Sequence, residues 1–207
     1  MGCGSGVIPL LLLGREPSLA VCGIEMMRSP YELAKENIRE NGVKAEIIRG
    51  DAMKAASLLG EGIFDLILSN PPYYPVESCR LPRNEEIAAA KAEICWDQKT
   101  MMEQAFSLLK ENGCFALIFD GARKEEIIDL AKNAGFFLRR VIDIYGKEGK
   151  PQKRRLYLEL TKEPANTEED SLAVYSSNGE LTPKMKRILN IYDGTGTVPC
   201  GDPHRQP

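Results

Sequence analysis

Leu66-Ile67-Leu68-Ser69-Asn70-Pro71-Pro72-Tyr73 begins as an apolar run of the kind that forms a buried strand, and it ends in a polar tetrapeptide locked by two prolines. A residue that precedes proline is driven out of the helical region toward extended backbone, and each proline fixes its own φ. Asn70 and Pro71 both precede prolines, so the Asn70 carboxamide and the Pro71 carbonyl are aimed before any ligand arrives. Two fixed acceptors suit an exocyclic aromatic amine or an amide NH2, whose lone pair is delocalised. Taking both N–H bonds turns that lone pair toward an electrophile without a strong base. Tyr73 adds a flat ring, and stacking on a nucleobase is worth about 1–3 kcal/mol. The plain structural alternative is a strand followed by a rigid polyproline turn.

Toward the N-terminus, Ala45–Arg49 predicts a strand that runs into Gly50-Asp51, and Leu19–Ile24 predicts another that ends in Glu25. Between them, Ser29-Pro30-Tyr31-Glu32 reads as a helix start. Ser29 is the expected N-cap, Pro30 the first helical residue and Glu32 the far side of a capping box. That helix should run to Asn41 and stop at Gly42. The chain opens on Gly2, Gly4 and Gly6 in a Gly-x-Gly-x-Gly turn. Such a turn lets backbone approach a ligand and presents helix N–H groups to it. Leu10–Leu13, with Gly14 as a stop, predicts a short buried helix. Glu25, Asp51 and Asn70 each follow a strand, which is where open α/β sheets bind ligands. A carboxylate at the Glu25 position can accept both ribose hydroxyls of a nucleoside.

Toward the C-terminus, residues 74–97 form a long excursion that carries Arg80 and Arg83. Long insertions after such strand ends commonly hold substrate contacts. A helix is expected over Lys99–Asn112, ended by Gly113, then a strand over Cys114–Phe119 and a helix over Lys124–Ala134. Phe136–Tyr145 and Leu156–Thr161 follow as strands with no helix between them, which predicts antiparallel pairing. Their connection holds Lys147, Lys150, Lys153, Arg154 and Arg155. It reads as a phosphate-binding hairpin or as a merely solvated one. A short strand over Leu172–Tyr175 and a helix over Pro183–Tyr192 complete the pattern, and a tail over 194–207 is expected to be disordered. Strands alternating with helices predict an α/β fold with a mostly parallel sheet wound on both sides.

A net charge of −3 leaves no room for polyanion binding by global charge, so any nucleic-acid surface must be a local patch. The six cysteines form no CxxC pair, and His204 is the single histidine, so no metal site is expected. Scattered cysteines in apolar runs suggest a reducing compartment. With no stretch of transmembrane length and no signal-peptide pattern, a cytoplasmic protein with no membrane partner is expected.

The glycine turn, the acidic strand end at Glu25, Gly50-Asp51 and Asn70-Pro71-Pro72-Tyr73 together resemble the class I S-adenosylmethionine-dependent methyltransferases. Within them the chain resembles the amino-methylating branch, and more narrowly the bacterial tRNA(Val) (adenine-N6)-methyltransferases. Leu68–Tyr74, Ala90–Ile94 and Gly149–Leu156 carry the narrower likeness. The resemblance implies a Rossmann-like domain over 1–193 with S-adenosyl-L-methionine as cofactor and tRNA as partner. Gly2, Gly4 and Gly6 would lie against the methionine part, Glu25 on the ribose, and Asp51 and Ala52 on the cofactor adenine. Asn70, Pro71, Pro72 and Tyr73 would grip the target base, with Asn70 also near the cofactor. Arg80, Arg83 and the basic hairpin would meet RNA. The chain departs from the family at Ala92, where a His is usual, and at Asp120-Gly121-Ala122. The family also has a strand before the glycine turn, so a sheet lacking its first strand, and a shortened N-terminus, are expected. The alternatives are a glutamine-N5 methyltransferase of release factors and a non-catalytic RNA-binding relic. A monomer is the expectation, on which the sequence itself is silent.

Overall fold

The apolar runs form the strands. β1 (Val21–Glu25), β2 (Ala45–Arg49) and β3 (Phe64–Ser69) alternate with α1 (Val7–Arg15), α2 (Arg28–Glu40) and α3 (Ala55–Leu59). The computed structural model describes residues 1–71, 97–149 and 153–189. Beyond β3 it continues through α4 (Gln98–Leu108), β4 (Leu109–Phe119), α5 (Lys124–Asn133), β5 (Phe137–Lys147), β6 (Lys153–Thr161), β7 (Glu168–Tyr175) and α6 (Pro183–Ile188).

Among the described residues these strands make two sheets, β1-β2 and β3-β4-β6-β5-β7. The pairings β1/β2, β3/β4 and β5/β7 are parallel, while β6 runs antiparallel to both β4 and β5. The expected C-terminal antiparallel pair is therefore inserted between parallel strands. The main core lies under α4 and α5, where Met101, Met102, Ala105, Ile127, Phe115, Phe119, Leu156, Leu158 and Leu160 are all buried. Strand β6 alternates, with Leu156, Leu158 and Leu160 turned inward. Each such side chain contributes about 1.5–3 kcal/mol on burial.

No described strand lies between β1 and β3. Residues Met1 to Cys3 cross that gap at the carboxyl ends of both strands. The Cys3 N–H donates to Ile24 O at 3.0 Å, and the Met1 ammonium donates to Leu68 O at 2.7 Å. Ser69 Oγ donates to Met1 O at 3.2 Å. Beside this bridge is an apolar cavity of about 340 Å³, walled by Ile8, Leu12, Val21, Ile63, Leu66 and Leu108. Leu66, in the middle of β3, is consequently 46% exposed.

Several boundaries differ from expectation, those of the helices most informatively. Helix α2 begins at Arg28 with Met27 as its N-cap and no side-chain cap, so Ser29 and Glu32 form no capping box. Glu25 explains this. Its carboxylate accepts the Met27 N–H at 2.9 Å, and Tyr31 N donates to Met27 O, which sets the first turn earlier. Pro30 falls inside that first turn, where its missing N–H is no loss. Helix α1 passes through Gly14 to Arg15, because a glycine on an open helix face weakens a helix without ending it. Helix α4 ends at Leu108 rather than Asn112. The chain bulges between the Phe64↔Leu109 and Leu66↔Cys114 pairs. A Cβ at Gly113 would come within 2.8 Å of Leu109 Cδ2 and 3.0 Å of two carbonyl oxygens, so only glycine closes that bulge. Helix α6 ends at Ile188, and the tail over 194–207 lies outside the described residues.

Candidate active site

The glycine turn runs from the bridge between the sheets to the N-terminus of α1, and Gly2, Gly4 and Gly6 all adopt positive φ, of 65°, 55° and 84°. At Gly6 the reason is contact as well as conformation, since a Cβ there would stand 3.2 Å from Ala34 Cβ. Asn37 Nδ2 donates to Ser5 O at 2.9 Å, so α2 holds the turn from behind. A Cβ built on Gly4 meets nothing within 4 Å, and this part of the loop presents bare backbone to open space.

Glu25, at the end of β1, ties the turn to the sheet. One carboxylate oxygen accepts the Gly4 N–H and the other accepts the Met27 N–H, both at 2.9 Å. Each oxygen keeps a second lone pair for a hydroxyl donor. Cys3 packs against Gly23, where a Cβ would meet its Sγ at 3.0 Å. Burial and the nearby Glu25 push the Cys3 thiol up to about 11, which keeps it a neutral filler rather than a nucleophile.

Asp51, after β2, caps the short 3-10 turn Ala52–Lys54 by accepting the Met53 N–H at 2.9 Å. Ala52, next to it, is 5% exposed and packs into the core. After β3, Asn70 is exposed and Pro71 is buried. Ser69, immediately before them, is held by Met1. Glu25 and Asn70 therefore stand at the same edge, on the two sides of the Met1–Cys3 bridge.

Of the remaining expected residues, Pro72, Tyr73, Arg80, Arg83 and Lys150 lie outside the described residues, as does Ala92. The basic hairpin is nonetheless located by its strands. Phe119 pairs with Leu156, and Tyr145 pairs with Lys153, which brings the β5–β6 connection to the carboxyl edge of β4. Lys147 ends β5, and Lys153, Arg154 and Arg155 open β6 at that edge. Two further residues there had no sequence signal. Arg123 follows β4 in a 3-10 turn, with its guanidinium 5.2 Å from the Phe119 ring centroid, and Gln98 opens α4 beside it. No group of three or more candidate metal ligands occurs among the described residues, and no described helix is long and apolar enough to cross a membrane.

A family model described as the methyltransferase small domain matches residues 1–135. A tRNA1(Val) (adenine(37)-N6)-methyltransferase of Yersinia enterocolitica is 28% identical over 197 residues, covering 93% of this chain and 76% of its own. The protein of that name from Yersinia pseudotuberculosis is 29% identical over 196 residues, with the same coverage. Among solved structures, a predicted O-methyltransferase from Agrobacterium tumefaciens superposes with a TM-score of 0.70 at 18% identity, over 92% of this chain and 86% of that one. An S-adenosylmethionine-dependent methyltransferase from Clostridium acetobutylicum gives 0.54 at 13% identity, over 80% and 82%. The structural likenesses establish the α/β methyltransferase fold.

Proposed function

The chain belongs to the methyltransferase small domain family, and on that premise we propose that it methylates the N6 amine of an adenine in tRNA, with S-adenosyl-L-methionine as methyl donor. The observation that carries this reading is the placement of Asn70-Pro71 and Glu25 on one edge, joined across the bridge by Met1–Cys3. The names of the relatives support adenine 37 of tRNA(Val) as the nucleotide.

The bound cofactor supplies an electrophilic sulfonium methyl. The chain's own residues position the two partners. Backbone of Gly2, Gly4 and Gly6 lies against the amino-acid part of the cofactor, and the free lone pairs of Glu25 accept the ribose hydroxyls. Asp51 and the backbone of Ala52 border the cofactor's adenine. Asn70 Oδ1 and the Pro71 carbonyl accept the two N–H bonds of the target amine, which directs its lone pair at the methyl. Transfer of the methyl from the cofactor's sulfur to this nitrogen would leave S-adenosylhomocysteine, and the amine's surplus proton would pass to solvent. Pro72 and Tyr73 complete the grip on a base splayed from its loop, at a cost of a few kcal/mol. Lys147, Lys153, Arg154 and Arg155 hold the RNA backbone from the same edge, with Lys150, Arg80 and Arg83 extending that contact. Binding should weaken steeply with added salt.

Titration of S-adenosylhomocysteine followed by methyl-transfer assays on bulk tRNA and on a release factor tests the reading. The expected result is micromolar binding and labelled N6-methyladenosine from tRNA, with kcat down about 10²–10³-fold in Asn70→Ala. Labelled glutamine in the release factor would replace this substrate with the alternative, and no labelling of either would overturn the reading.

A further inference from the structure

Gln98 is buried in a way that packing does not explain. It is 7% exposed, and its Nε2 is sealed from solvent without a hydrogen-bond partner among the described residues. Its Oε1 accepts a long 3.4 Å bond from Arg123 Nη2. Buried polar groups are almost always paired, and leaving one orphaned costs about 1–3 kcal/mol. Methionine would fill the same volume without that penalty, as Met101 and Met102 do one turn further along α4. Local choices that work against stability concentrate at functional sites.

Arg123 gives Gln98 a purpose. Ser69 pairs with Leu117, so two residues on, Pro71 comes level with Phe119, the last residue of β4. The turn Gly121–Arg123 that follows β4 therefore leaves the sheet at the same carboxyl edge as Asn70-Pro71. Arg123 lies over the Phe119 ring, with a side chain only 16% exposed. Glu126 accepts from its Nε at 2.8 Å and from its Nη2 through a second, shorter bond. Glu126 thus holds the guanidinium from α5, and Gln98 holds it from α4.

We propose that Gln98 is a positioning residue of the methyl-acceptor site: it sets the plane of the Arg123 guanidinium beside Asn70-Pro71, where that group receives the acceptor nucleotide. The inference rests on the functional reading above. A planar cation fixed over an aromatic ring can stack on a base and donate to its acceptors or its phosphate. Without Gln98 the guanidinium could pivot about its two Glu126 bonds and lose that geometry while the cofactor side stayed intact.

Steady-state kinetics of Gln98→Met and Gln98→Glu, alongside S-adenosylhomocysteine titrations, test it. Gln98→Met should leave Tm equal or higher and cofactor affinity within twofold, while raising KM for tRNA about tenfold with kcat within threefold. Gln98→Glu restores an acceptor for Arg123 and should bring KM back to within threefold of wild type. An unchanged KM in Gln98→Met would mean that the side chain only fills space. A KM rise accompanied by equal loss of cofactor affinity would mean that it supports the fold rather than the acceptor site. If wild type labels the release factor instead of tRNA, the same split is read on that acceptor. If wild type labels neither, the functional reading falls and this inference falls with it.

Discussion

A carboxylate that accepts one backbone N–H on each oxygen is both a structural clamp and a half-empty acceptor. Glu25 is in that position, since Gly4 and Met27 use one lone pair of each oxygen. Glu25→Gln would turn one of those oxygens into an NH2 facing a backbone N–H, a donor against a donor. Hydrogen bonds to a charged group are worth about 1.5–3 kcal/mol each, so the substitution should weaken S-adenosylhomocysteine binding by about 30-fold or more in a calorimetric titration. Binding within threefold of wild type would show that Glu25 only holds the turn. The sequence made Glu25, Asp51 and Asn70 legible because each interrupts an apolar run at its end. It did not make the Gly4–Glu25 bond legible, because contacts between residues 21 positions apart leave no local pattern. Gln98 and Arg123 were missed for a related reason. A glutamine opening a helix and an arginine in a turn are both ordinary in sequence, and only burial marks them.

Elements whose ends are set by their own residues came out as expected. Strands β2 and β3 begin and end where the apolar runs do, and α5 stops at Gly135, whose φ is 98°. Elements whose ends are set by distant residues did not, as the Glu25-driven start of α2 and the bulge before Cys114 show. The start of α4 belongs to the local kind and permits a pH test. Asp97 caps it by accepting the N–H groups of Lys99 and Thr100 and the Thr100 hydroxyl. The Thr100 hydroxyl, outweighing the opposing effect of burial, pulls this carboxyl below its ordinary 3.8, with help from the backbone N–H groups and Lys99. A carboxyl with a depressed folded pKa contributes stability that is complete above the unfolded value and lost as pH falls through the folded one. Asp97→Ala should therefore cost about 1 kcal/mol at neutral pH, the usual worth of an exposed N-cap. The gap from wild type should begin to narrow below about pH 4 and narrow further as pH falls through the lower folded value, so chemical denaturation should show a smaller gap at about pH 3 than at about pH 7. An equal gap at both values would mean that the deficit is not the carboxylate's.

At the scale of the molecule, the site depends on how two sheets are held together. The β1–β2 sheet shares no strand pairing with the larger sheet among the described residues. It is held by Met1–Cys3, by Ala52 and Ala55 in the common core, and by the bond from Ala56 N to Gln104 Oε1 at 2.8 Å. A two-stranded sheet is marginal by itself, and the cavity between β1 and β3 removes contacts that would otherwise tie it down. Proteins open in cooperative units whose stability follows such contacts. Amides of Val21–Glu25 and Ala45–Arg49 should thus exchange with solvent through a partial opening at least about 2 kcal/mol easier than global unfolding. Those of Phe115–Phe119 and Leu156–Leu160, in the main core, should exchange only through global unfolding. The proposed cofactor contacts lie on both sides, Glu25 and Asp51 on one and Asn70 on the other, so a ligand that binds only the docked arrangement must stabilise it. Saturation at one hundred times Kd adds about 2.7 kcal/mol to whichever state binds. Protection of the Val21–Glu25 and Ala45–Arg49 amides should therefore rise by about 2.7 kcal/mol with S-adenosylhomocysteine bound. Uniform protection of all four strands without ligand would show that the gap costs the fold nothing. Protection of those amides left unchanged at saturation would mean that the opened state still binds the ligand, and Glu25 and Asp51 would then not be its contacts.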